Sequence, residues 1–153
     1  ETFLGHDGGR RVDHDHADRQ QDLSMAKDSV FNAASVIRTI TGKDMSDYDI
    51  HVNVIGGAKI DGPSAGAAIT VCIISAMLNK PIRQDTAVTG EISIRGKVKP
   101  VGGIFEKIYG ATRKGIKHVI VPYDNRNDIP TGMEDIKVTS VKDIEELLKI
   151  VLK

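Results

Sequence analysis

One serine of this chain stands where a hydroxyl could act as a nucleophile. Ser64 lies in the glycine-rich run Gly56-Gly57-Ala58-Lys59-Ile60-Asp61-Gly62-Pro63-Ser64-Ala65-Gly66, ahead of a small-residue and apolar stretch over 67–78. Before the run, residues 50–55 alternate like a strand. A turn that delivers a serine to the start of a buried helix sets its hydroxyl beside backbone N–H groups. Proteins use that arrangement for acyl transfer and for holding phosphate. Gly57 and Gly62 have the glycine spacing of an ATP-binding P-loop, but Pro63 stands where that loop needs its lysine. An ATP-binding P-loop is thereby excluded at this turn. A looser phosphate loop, as in small-molecule kinases, stays open, although such kinases usually need more chain than this.

A serine hydroxyl attacks poorly until a base takes its proton. Histidine is the commonest partner, and the candidates are His51, on a strand face with Asn53, and His118, at the start of an apolar strand. Neither comes with an obvious orienting carboxylate. The other known partner is lysine, which must be neutral to accept a proton, and burial favours the neutral form. Lys107 follows Gly102-Gly103 and sits between Ile104 and Ile108 on a predicted helix, whereas Lys114 and Lys117 occupy ordinary exposed positions. A solvated or snorkelling Lys107 is the competing reading.

The elements that must position these groups follow from periodicity and punctuation. An amphipathic helix is predicted over 24–41, capped by Ser24 and stopped by Gly42, with Met25, Val30, Ala33, Ala34, Val36, Ile37 and Ile40 on its apolar face. A strand follows at 50–54 and a central helix at 64–78, where Cys72 reads as a small core residue. Residues 86–94 read as extended, with Arg95-Gly96 turning a hairpin back through 97–99. A helix over 104–114, a strand over 118–122, a polar loop over 123–128 and a strand over 136–138 come next. Ser140 is expected to cap a last helix over 141–152. The order predicts an α/β (α+β) single domain, a mixed β-sheet with packed helices. The first 23 residues, with His6, His14 and His16 among Asp7, Asp13, Asp15 and Asp18, lack the fixed spacing of metal-ligand motifs. They read as an N-terminal arm, 1–23, mobile or appended, ahead of a domain over 24–153, with no metal expected.

The chain has 153 residues, enough for one domain with a real core. Its 21 basic and 21 acidic side chains balance, so charge gives no reason to expect nucleic acid or an anionic membrane surface. Tryptophan is absent, which argues against base stacking. The longest apolar run is too short to span a bilayer. A single cysteine, Cys72, forbids an internal disulfide and favours a reducing, intracellular (cytoplasmic) compartment. The chain starts at Glu1 without a clear first element and reads as a piece of something longer.

Several blocks, in order, resemble one family. Asp61-Gly62-Pro63-Ser64-Ala65-Gly66 looks like the nucleophile motif of the Lon protease proteolytic domain. Thr89-Gly90-Glu91-Ile92, Arg95-Gly96, and Pro100-Val101-Gly102-Gly103-Ile104-Phe105-Glu106-Lys107 resemble the next blocks, and 115–122 the one after. The resemblance covers 25–153. It implies a Ser-Lys dyad endopeptidase, with Ser64 as nucleophile forming an acyl-enzyme and Lys107 as general base. It further implies that Thr89 helps to hold the lysine, that backbone N–H groups around Ser64 and Gly62 form the oxyanion hole, and that Asp61 neighbours the dyad, in some family members pairing with the lysine in an inactive state. It also implies an ATP-dependent protease of unfolded or damaged proteins, assembled as a homo-hexamer, whose AAA+ ATPase lies upstream of this chain. ATP and Mg would belong to that module, and no cofactor to this domain. Departures from the commonest bacterial pattern are Lys59-Ile60 for Pro-Lys, Phe105 for lysine, and Asn53 for one of two histidines, the other being His51. They lean toward the B-type or another Lon-like branch. The family's first strands are not recognisable in 1–23. The alternative reading is a catalytically silent Lon-like assembly or substrate-binding module.

Overall fold

The computed structural model describes the backbone of residues 14–52 and 62–153, and side chains over 27–52 and 62–153. Among the described residues, the α-helices and strands are α1 (His14–Thr41), α2 (Gly66–Leu78), β1 (Thr86–Val88), β2 (Glu91–Ile92), β3 (Val98–Lys99), α3 (Ile104–Arg113), β4 (His118–Pro122), β5 (Lys137–Val141) and α4 (Ile144–Val151). Strands β1, β4 and β5 form a parallel sheet in the order β1-β4-β5, and β2 pairs with β3 antiparallel. The expected mix of strand directions is present, divided between two sheets.

Side-chain alternation along β4 sorts the core into two layers. Ile120 joins Val36 and Ile37 of α1, Val71 and Ile74 of α2, and Ile144, Leu147 and Val151 of α4. Val119 and Val121 meet Ile104 and Ile108 of α3, together with Ile136. Helices thus cover both faces of the parallel sheet, as a buried parallel sheet requires. Among the described residues, no helix is long and apolar enough to cross a membrane.

Several expected boundaries move. Helix α1 begins at His14, well before Ser24. Residues 14–23 hold neither glycine nor proline, so nothing breaks the helix ahead of Ser24. Residues 1–13, with His6, lie outside the described residues. Ile50, His51 and Val52 carry no strand, and the rest of the predicted 50–54 strand lies outside the described residues. Residues 123–128 form a 3₁₀ turn rather than an open loop. Cys72 is exposed on α2, because the core takes the faces bearing Ala67, Thr70, Val71 and Ile74.

The last helix is capped by Asp143, not Ser140. Ser140 lies inside β5, where it pairs with Val121 of β4. The Asp143 carboxylate accepts the Glu146 N–H at 3.0 Å, and the Glu146 carboxylate accepts the Lys142 N–H at 2.9 Å. This reciprocal pair satisfies amide donors that the helix itself leaves unmet. Asp143 also lies 3.6 Å from Lys97, but that pair is solvated and adds little. Asp143→Ala is expected to lower stability by about 1 kcal/mol, measured by urea unfolding, with Ser140→Ala costing less.

Candidate active site

Ser64 sits in a 3₁₀ turn, Gly62–Ala65, and α2 starts only at Gly66. The serine therefore precedes the helix predicted to contain it. Gly62 enters this turn with φ of 70°, a left-handed conformation that glycine adopts without steric cost. The turn is tied to the sheet by a strand that changes partners. Residues 86–94 do not run on as one extended segment: β1 stays beside β4 as far as the Thr89 N–H, which donates to the Ile120 carbonyl at 3.1 Å. Gly90 then turns to the serine. Its N–H donates to the Ser64 carbonyl at 2.9 Å, and its carbonyl accepts the Ala67 N–H at 3.0 Å. The buried Thr89 hydroxyl also donates toward the Ser64 carbonyl, at 3.5 Å. Gly66 packs so closely on β2 that an added Cβ would lie 3.2 Å from the Ile92 nitrogen.

Lys107 reaches the same place from α3. Gly103 starts that helix at φ 68°, and its carbonyl accepts the Lys107 N–H at 3.0 Å. Ile104 and Ile108, both buried, anchor α3 against the sheet, leaving Lys107 half-buried between them. The structure brings the two predicted groups together: Ser64 and Lys107 line one cavity of about 520 Å³ with Pro63, Glu91, Pro100, Val101, Gly102 and Gly103. A second cavity, of about 380 Å³, adjoins it through Pro63 and Glu91 and is walled by Asp28, Phe31 and Asn32 of α1.

The remaining candidates fall elsewhere. His118 opens β4, whereas the Ser64 turn meets that sheet at the level of Ile120. Its Nε2 lies 2.8 Å from the Thr139 hydroxyl. Burial, with the charges of Lys137 and Arg83 nearby and against Asp85, pushes its imidazole below the usual range. His118 is a structural residue of the sheet. His51 is exposed. Lys114 and Lys117 are exposed as expected. Asp61, Asn53, Lys59 and Ile60 lie outside the described residues. Phe105 stacks on Tyr109, centroids 6.3 Å apart, on the exposed side of α3, where it leaves the cavity wall untouched.

A residue that sequence reasoning passed over is Asn125. It is 5% exposed and holds the backbone of Val101 on both sides. No motif announces it, because its partner lies 24 residues earlier.

The fold thus sets a turn-borne hydroxyl and a helix-borne amine in the wall of one cavity. The chain belongs to the Lon protease (S16) C-terminal proteolytic domain family, whose model matches residues 20–153. This is a family of serine peptidases. Curated relatives agree. Lon protease 2 of Bacillus subtilis (strain 168) is 48% identical over 129 residues, covering 84% of this chain and 23% of that protein. Lon protease of Fervidobacterium nodosum is 47% identical over 135 residues, covering 82% and 17%. Archaeal Lon protease of Thermococcus kodakarensis is 41% identical over 133 residues, covering 84% and 21%. The chain thus spans less than a quarter of each of these relatives.

Proposed function

We propose that this chain is the endopeptidase domain, over residues 24–153, of an ATP-dependent Lon-type protease, and that it cuts through a Ser64–Lys107 dyad. The observation that carries this reading is the shared cavity: a serine on a turn and a half-buried lysine on a separate helix line the same walls. Lys107 takes the Ser64 hydroxyl proton as Oγ attacks the scissile carbonyl. Backbone N–H groups around Gly62 and Ser64 hold the developing oxyanion. The tetrahedral species collapses to an acyl-enzyme as Lys107 returns the proton to the leaving amine, and water then releases the acyl group. Thr89 steadies the lysine and the serine turn, and Asp61 immediately precedes that turn in sequence. The adjoining cavity at Phe31 and Asn32 lengthens the cleft, which suits an extended peptide rather than a small metabolite.

In the full-length protein the domain acts in the cytoplasm within a homo-hexamer, on unfolded or damaged polypeptides delivered by an upstream AAA+ module. ATP and Mg belong to that module, and the steps above use neither. A peptidyl boronate tests the site directly. Mass spectrometry is expected to show an adduct on the wild-type chain at Ser64 and none on Ser64→Ala. A folded wild-type chain that forms no adduct would instead favour the silent-module reading.

A further inference from the structure

The cavity's lysine wall is fixed from outside the cavity, by one buried amide. Asn125 lies in the 3₁₀ turn after β4, Tyr123–Asp128. Its Oδ1 accepts the Val101 N–H at 2.9 Å, and its Nδ2 donates to the Val101 carbonyl at 3.0 Å. The second Nδ2 hydrogen goes to the Asp128 carboxylate at 2.7 Å. A carboxylate can only accept, so Asp128 settles which end of the amide faces it. That leaves Oδ1 for the Val101 N–H. The side chain thus grips both backbone groups of Val101, as a neighbouring strand would.

From Val101 the chain passes through Gly102 to Gly103, whose carbonyl accepts the Lys107 N–H at 3.0 Å. Val101 packs against the core cluster of α3, but a Cβ at Gly102 would meet nothing within 4 Å, so packing gives the glycine itself little hold. Val101, Gly102 and Gly103 all face the cavity with Ser64 and Lys107. Ile104 and Ile108 hold α3 on the sheet, and the segment that Asn125 grips leads directly into its first turn, which carries Lys107.

Resting on the reading of Lys107 as base, we propose that Asn125 is a positioning residue for Lys107, setting the amine's place relative to Ser64 through Val101 and the Gly102–Gly103 turn. An error of about an ångström in such placement slows an enzyme by about a hundredfold. Much of the cleft available to a peptide, along Pro63, Glu91, Phe31 and Asn32, lies away from this contact.

Three variants of the full chain test this with a fluorogenic peptide, assayed across pH below each variant's melting temperature. Asn125→Ala is expected to lower kcat by about ten- to a hundredfold, with KM within about twofold of wild type. The rising limb of its pH–rate profile should be displaced, because the base changes surroundings. The exchanged pair N125D/D128N keeps the acceptor for the Val101 N–H and the bond between 125 and 128 but loses the donor to the Val101 carbonyl. It is expected to fall between, with its limb displaced less. Unchanged kcat and pH limb in Asn125→Ala, with only a lower melting temperature, would make Asn125 a stability residue and overturn the proposal. If Asn125→Ala does not fold, the same criteria apply to the exchanged pair. Lys107→Ala separates the two levels: an inactive Lys107→Ala beside an unaffected Asn125→Ala overturns positioning alone, whereas an active Lys107→Ala overturns the base assignment and the positioning with it.

Discussion

Lys107→Ala is expected to slow peptide hydrolysis by the full chain by about a hundred- to ten-thousandfold, the usual contribution of a positioned general base. Lys107→Arg should be nearly as slow. Arginine keeps the positive charge and most of the length but is never neutral in a protein, so it cannot accept the Ser64 proton. The pair of variants therefore separates a base from a cation that merely orients substrate or stabilises charge. Neither should unfold the chain. Lys107 is half-exposed, while Ile104 and Ile108 carry the packing of α3, so urea midpoints should stay close to wild type. The wild-type rate should climb from neutral to mildly alkaline pH, since only the deprotonated amine can accept a proton. A Lys107→Arg chain that hydrolyses peptide at the wild-type rate would end the dyad reading. A wild-type rate flat across that range, with chemistry limiting, would count against lysine as the base.

What was legible beforehand divides along physical lines. Ser64 and Lys107 could be found because each follows a glycine signal, and glycine marks turns by a purely local rule. The faces of α1 and α4 could be read because burial of one side leaves a periodic trace. The shift of partner at Gly90 was hidden: a strand leaving one neighbour for a turn makes no local pattern, and residues 86–94 looked continuous. Ser140 resembled a cap, but pairing with β4 takes it into a strand and leaves Asp143 to cap α4. Asn125 could not be recognised, because its whole role lies in a contact with Val101 that only the fold creates. Local rules thus reached the two groups that share the cavity, and the contacts around them had to be seen.

Gly90→Ala tests how tightly the serine turn depends on one such contact. A Cβ at position 90 would lie 2.6 Å from Cγ1 of Val98, well inside van der Waals contact. Val98 is buried, β-branched and held in β3, so it has no easy rotamer to move into. The strain must instead shift residue 90, and that backbone holds the Ser64 carbonyl and the Ala67 N–H. Gly90→Ala is therefore expected to cost about 1–3 kcal/mol in urea unfolding, the range for overpacking a core. It should also lower kcat/KM by about tenfold or more, because Ser64 moves with its anchor. Val98→Ala alone removes buried methyl groups and should cost about 2 kcal/mol while leaving kcat/KM near wild type. In the double variant the offending Cγ1 is gone, so activity should recover in large part, while the strain of an alanine at φ 159° remains. A double-mutant cycle reads that coupling in both stability and rate. If Val98→Ala fails to restore activity to Gly90→Ala, steric transmission from position 90 to Ser64 is wrong, and the glycine must be serving the backbone conformation alone.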